Sequence, residues 1–225
     1  MEYKHILRHN FPENLREIHK PPEKIHYIGK WIEDDEICVT VIGSRHPTIY
    51  GQNICKEIIN GLKDTGVTIV SGLAIGIDSI AHEQAIINNL KTVAIPGSGI
   101  HPDVIYPRRN GILAKNILKS GGCIASQFEI KDRALPWMFP VRNQVMAGLS
   151  KLTIVIEAKE KSGSLITAYS AINSNREVGA IPGPVGSELS SGTNSLLKRG
   201  AHLITCGDDV LDILGLPRKT DLHKL

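Results

Sequence analysis

The chain is poor in aromatic residues. Phe, Trp and Tyr make up 4% of its 225 residues, so each exposed ring is a candidate contact. Cysteine is scarce too. Cys38, Cys55, Cys123 and Cys206 lie far apart, with no CxxC pair. That excludes a zinc ribbon or a disulfide framework and predicts free thiols in a reducing compartment. No apolar run approaches ~18 residues and no signal-peptide pattern opens the chain, so the sequence predicts a cytoplasmic protein. Neither sign of charge dominates. A net charge of +3 and a pI of about 8.6 permit a nucleic-acid partner without requiring one.

Familiar catalytic motifs are also missing. There is no GxSxG, HExxH, GxxxxGK[ST] or GxGxxG. The nine histidines show no ligand spacing. His101 and Asp103 have no further ligands beside them, so neither a metal nor a cofactor is expected. His82, beside Glu83 on an expected helix, reads as a packing or capping residue. Without a nucleophile–base–orienter set, the expectation shifts from an enzyme toward a binding protein.

What is present begins at residue 37, where short β-branched runs alternate with longer amphipathic segments. Strands are expected at 37–42, 67–70, 92–95, 122–125, 152–157, 178–181 and 202–204. Helices are expected near 48–64, 78–88, 109–119, 141–149, 164–175, 193–199 and 208–214. Continuous apolar strands alternating with helices predict a doubly wound, mostly parallel α/β sheet, an extended Rossmann-like single domain over 37–215. Residues 1–36 are polar, with prolines at 12, 21 and 22. They are expected to pack on the core as an extension with one short helix near 12–18. Residues 216–225 are expected to form a tail.

In such sheets ligands bind beyond the carboxyl ends of the strands. Four expected strands end in glycine loops, at Gly43, Gly72, Gly97 and Gly183. The first reads VTVIGSRHPTIYG. After Gly43 and Ser44 it supplies Arg45 and Pro47 where a dinucleotide site would supply glycines. Arg108 and Arg109 in YPRRN and Arg142 in FPVRN fall near the same edge. Guanidinium forks match phosphate oxygens. The segment 127–140 adds Phe128, Trp137 and Phe139 beside Arg133 and Arg142. Rings among arginines suit single-stranded nucleic acid, although each ring alone equally suits a core plug.

The blocks VIGSRHPTIYG, SGLAIGIDSIAHEQAI, PGSGIHPDVIYPRRN, FPVRNQVMAGLS, SGSLITA and GTNSLLKRGAH, in this order, resemble the DprA (Smf) DNA-processing family. The resemblance spans nearly the whole chain. It implies a bacterial, non-enzymatic Rossmann-like protein that binds single-stranded DNA, forms homodimers and helps load a RecA-type recombinase in natural transformation and recombination. It implies that Arg45, after Gly43 and Ser44, holds a DNA phosphate and that Arg108 or Arg109 holds another. Phe139, Arg142 and Asn143 then line the groove, and Gly163 and Ser164 present backbone N–H groups. The chain departs from the family's pattern at Ile75, where an arginine is frequent, at Gln144 and Gln127, and at an apparent His101-Pro102 insertion. Its length predicts a version of the family without the added N- and C-terminal domains. The alternative is a small-nucleotide enzyme or sensor resembling the phosphoribohydrolases. Their PGGxGTxxE element is replaced here by PGSGIHPD.

Overall fold

The computed structural model describes residues 2–218. The strands are Lys4–Leu7 (β1), Lys24–Gly29 (β2), Cys38–Ile42 (β3), Thr68–Ser71 (β4), Thr92–Ala94 (β5), Cys123–Ser126 (β6), Leu152–Val155 (β7), Glu177–Ala180 (β8) and His202–Leu203 (β9). They form one sheet in the order β1-β2-β6-β5-β4-β3-β7-β8-β9. From β6 to β9 every pairing is parallel. β1 and β2 are antiparallel to their neighbours.

The helices are Glu13–Arg16 (α1), Ile49–Gly61 (α2), Ile77–Ile87 (α3), Gly111–Lys119 (α4), Met138–Leu149 (α5), Gly163–Asn173 (α6), Glu188–Lys198 (α7) and Gly207–Leu214 (α8). β3 shows why the central strands are apolar on both faces. Its Cys38 and Ile42 pack with Val145, Leu149 and Ala168 of α5 and α6. Its Val39 and Val41 point the other way, into Cys55, Ile58, Ala81 and Val210 of α2, α3 and α8. A strand covered on both sides has no polar face to alternate with.

The expected mostly parallel α/β fold is observed. Residues 4–29 differ from the expectation, because they supply two strands of the same sheet. β1 is mostly exposed, and β2 is half-buried and carries Lys24 and His26. Outlying antiparallel strands lack the long apolar run that marks a buried one. The short helix near 12–18 is α1, whose Leu15 is fully buried. This helix and the residues after it sit so close to α5 that a Cβ on Gly148 would lie 3.2 Å from Leu15 and 2.5 Å from Ile18. α5 begins at Met138, earlier than expected. Pro140 falls in its first turn, where a missing N–H costs no helical bond. The expected tail lies, from residue 219 on, outside the described residues.

The connections fix where a ligand can go. The chain steps from β3 through β4 and β5 to β6, then returns to β7 on the other side of β3. Successive crossovers thus leave in opposite directions from β3 and β7. That opens a crevice above their carboxyl ends.

Candidate nucleic-acid interface

A cavity of about 270 Å³ occupies this crevice. Gly43, Ser44 and Arg45 line it from the end of β3, Phe139, Arg142 and Asn143 from α5, and Ser162, Gly163 and Ser164 from the start of α6. A smaller space of about 50 Å³ adjoins it, lined by Arg45, Ile75, Tyr106, Pro107 and Phe139. Arg45, Ala74, Phe139 and Arg142 border both. The two spaces therefore form one run along the sheet edge.

Arg45 is held out at the surface by its backbone. Gly76 has φ of +83° and ψ of −130°, a conformation that suits glycine. A Cβ there would lie 2.3 Å from the carbonyl oxygen of Ser44 and 2.7 Å from that of Arg45. This close approach lets Ile77 N donate to Ser44 O at 3.1 Å, pinning the loop to the start of α3. The Arg45 side chain is exposed and its guanidinium carbon lies 5.7 Å from the Phe139 ring centroid. The Tyr106 ring meets Phe139 edge-on at 5.8 Å. A cation lying against a ring backed by a second ring is oriented but still open to an anion.

Arg142 behaves differently. It is 4% exposed, and its Nη1 donates to the carbonyls of Gly72 and Ile95, at the ends of β4 and β5. Beside it, Asp78 Oδ2 accepts from the backbone N–H groups of Gly72 and Ala74 at 3.1 and 3.3 Å. Burial pushes the Arg142 pKa down to about 10 against the pull of Asp78, so it remains charged at neutral pH. Its place near the strand ends suggests a phosphate fork here. The structure commits its Nη1 to two backbone carbonyls, while the side chain still borders the crevice.

The glycine loops also differ from expectation. A Cβ on Gly72 would fall 1.9 Å from Arg142 Nη1, on Gly97 2.6 Å from the Phe139 ring, and on Gly183 2.1 Å from Ser190 Oγ. None of the three has a positive φ. They admit the protein's own side chains, not a ligand backbone. The start of α2 is likewise filled from within. The Glu157 carboxylate accepts from Thr48 N at 2.9 Å and from the Thr48 hydroxyl, which in turn accepts from Gly51 N.

The start of α6 is arranged otherwise. Its N-cap, Ser162, makes no capping bond, and its buried Oγ has no partner among the described residues. Ser164 Oγ donates to Gly43 O at 2.9 Å, tying this turn to the end of β3. Asn143 Nδ2 donates to Gly163 O at 3.4 Å. The leading N–H groups of a helix have no intrahelical acceptor, and here Gly163 and Ser164 line the crevice.

The structure thus brings Gly43, Ser44, Arg45, Phe139, Arg142, Asn143, Gly163 and Ser164 to one place. Arg108 and Arg109 are exposed on a 3-10 turn and do not line it; Arg108 borders a separate cavity along α4. Of the other rings, Phe128 is buried and Trp137 is 58% exposed, packed edge-on against it at 5.6 Å. Sequence reasoning missed Asp78, Glu157, Lys159 and Ser162. Lys159 and Ser162 follow β7, so the rule of strand carboxyl ends could have found them. The buried carboxylates carried no comparable signal.

His82 packs beneath this site. Its Nδ1 lies 2.7 Å from Thr92 Oγ1, whose proton goes to Ile69 O. The hydroxyl must therefore accept from His82 Nδ1–H. Burial pushes the His82 pKa down to about 3, helped by the Arg142 charge. The unfolded chain protonates near 6.5, so between about pH 6.5 and 3 it binds more protons than the fold does. Stability is expected to fall with pH across that window by up to ~1.4 kcal/mol per unit. Asp78, raised by burial, acts with the opposite sign. The check is therefore urea unfolding of wild type against His82→Gln, whose stability should depend less steeply on pH. Parallel pH profiles would overturn this assignment.

Fold and crevice define a Rossmann-like α/β protein with anion-accepting groups at its switch point. The chain belongs to the DNA recombination-mediator protein A family, which it matches over residues 3–215. It is 42% identical over 176 residues to Protein Smf of Escherichia coli, covering 78% of this chain and 46% of that one. It therefore spans about half the length of that relative. The X-ray structure of DNA processing protein A (DprA) from Streptococcus pneumoniae superposes with a TM-score of 0.86 at 37% identity, over 94% of this chain and 74% of that one. A structure of DNA processing protein A from Helicobacter pylori, described for its single-stranded DNA binding mode, gives 0.84 at 29% identity over 95% of both chains. No helix among the described residues is long and apolar enough to cross a membrane.

Proposed function

We propose that the crevice binds the backbone of single-stranded DNA, and that the protein shields such strands and passes them to a RecA-type recombinase without itself catalysing a reaction. The observation that carries this reading is the convergence of exposed Arg45, the ring of Phe139 and the open start of α6 along one run of surface. Side-chain and backbone donors for phosphate then lie beside a ring on which a base can stack. The single-stranded DNA binding mode described for the Helicobacter pylori relative supports it. The small-nucleotide alternative is disfavoured by Glu157. Its carboxylate fills the helix start after β3, where a dinucleotide's pyrophosphate would sit.

The test is fluorescence anisotropy of a labelled ~20-mer, single-stranded and duplex, over a salt titration. Neutralising ~3 phosphates predicts a slope of about −2 in log K against log salt for the single strand. Equal affinity for duplex, or no salt dependence, would refute the reading. Ile75 gives a gain-of-function counterpart, since it lines the same run as Arg45 and Tyr106. Ile75→Arg is expected to tighten binding several-fold and steepen the slope by about 0.7, the share of one added phosphate contact. An unchanged slope would place Ile75 off the DNA path.

The protein is proposed to act as a homodimer. Ile166, Tyr169 and Ile172 form a stripe on α6 at 46%, 38% and 51% exposure. Tyr169 and Ile172 border one hollow with His202 of the edge strand β9. An exposed apolar stripe beside an edge strand suits a second copy. Sedimentation of Ile172→Glu against wild type tests this face, with dissociation the expected result.

A further inference from the structure

A second cavity lies away from the crevice, between α4 and the sheet. It measures about 250 Å³. Its floor is aliphatic: Ile28, Ile100, Ile105 and Ile124 are buried there, and Leu118 closes one side. Two cations border it, Arg108 and Lys115, both exposed and without an ionic partner among the described residues. Ile112 stands at the rim with 73% of its surface in water. Among the described residues no acidic side chain lines the space.

This combination is selective. The volume is below the ~300–1,000 Å³ of sites that enclose a whole small-molecule ligand, and suits one or two side chains of a partner. The lining holds no aromatic ring, so nothing offers a nucleobase the stacking that single-strand sites use. An aliphatic floor instead rewards an apolar side chain, and two unpaired cations on the rim reward carboxylates beside it. Lys115 in α4 and Arg108 on the preceding 3-10 turn both border the cavity, so acidic groups flanking one anchor can meet both.

We propose that this cavity docks an acidic peptide segment of a partner protein, one apolar side chain inserting between α4 and the sheet while its flanking carboxylates meet Arg108 and Lys115. Such a site lets a protein partner and a strand in the crevice be held together.

The test uses a labelled aspartate-rich peptide carrying one phenylalanine, followed by anisotropy on the full chain. Control peptides lack the phenylalanine or carry asparagine for aspartate. Gly111 lines the mouth, and a Cβ there meets nothing within 4 Å, so Gly111→Leu obstructs the cavity without a clash at the backbone. Lys115→Glu reverses the rim charge at an exposed helical position. Each change to protein or peptide is expected to weaken binding by about tenfold or more, while both protein variants keep wild-type affinity for single-stranded oligonucleotide. The proposal fails if the wild-type chain does not bind the peptide, or if neither protein variant weakens it. It also fails if the variants lose oligonucleotide affinity instead, which would make the cavity part of a nucleic-acid path. Failure of the crevice shows separately, as loss of oligonucleotide binding by the wild-type chain. Should Gly111→Leu not fold, Lys115→Glu alone decides.

Discussion

Arg45→Ala is expected to weaken single-stranded DNA binding by roughly 10- to 100-fold with little change in stability. A charge-assisted hydrogen bond is worth about 1.5–3 kcal/mol, and each 1.4 kcal/mol is tenfold. The side chain is exposed and makes no hydrogen bond among the described residues, so the loss should fall on binding. The guanidinium also lies against Phe139, so its removal frees the ring that a base would meet. Arg45→Lys should be intermediate, since it keeps the charge but loses the planar fork. The loss should be alike for different sequences, because phosphate contacts carry no base information. Titration of poly-T and mixed-sequence strands with wild type and both variants measures all three points. An Arg45→Ala chain that binds as tightly as wild type would mean that the strand does not pass this loop.

Arg142→Ala should have the opposite signature. Removing the guanidinium leaves the Gly72 and Ile95 carbonyls without it and isolates Asp78 in the interior. Leaving buried acceptors unsatisfied costs about 1–3 kcal/mol each, a large part of the 5–15 kcal/mol that holds a typical domain together. The expected result is a marked drop in the urea midpoint. Any loss of DNA binding should follow the loss of folded protein. Asp78→Asn combined with Arg142→Ala should cost less than the sum of the two single changes, because the isolated charge is then gone. A variant that keeps its urea midpoint but loses DNA would return Arg142 to the list of direct phosphate ligands.

The contrast between these arginines shows how far residue type and order can be read. Both follow strand ends and both sit in blocks typical of the family, so the sequence treats them alike. What separates them is the depth at which α5 crosses the sheet. Gly72 has no Cβ, and a Cβ there would lie 1.9 Å from Arg142 Nη1. α5 therefore brings that side chain onto the ends of β4 and β5 while Arg45 stays outside on its loop. The glycine loops were legible as special positions. Their purpose was not, because the atoms that fill them come from residues far away in the chain.

Strand and helix alternation, the mostly parallel sheet and the family follow from the sequence itself. Each rests on local patterning or on ordered blocks of residues, and neither needs knowledge of distant contacts. Arg45 as the exposed cation belongs to the same class, since glycine, serine and arginine after a buried strand already place it in a loop. The tertiary structure alone decided that Arg142 is buried against the Gly72 and Ile95 carbonyls, that Glu157 fills the start of α2, and that α6 keeps an open N-terminus. Those outcomes depend on contacts between segments roughly 70 to 120 residues apart. It also decided that residues 4–29 complete the sheet. An antiparallel edge strand is stabilised by the neighbour it pairs with, more than by any pattern of its own.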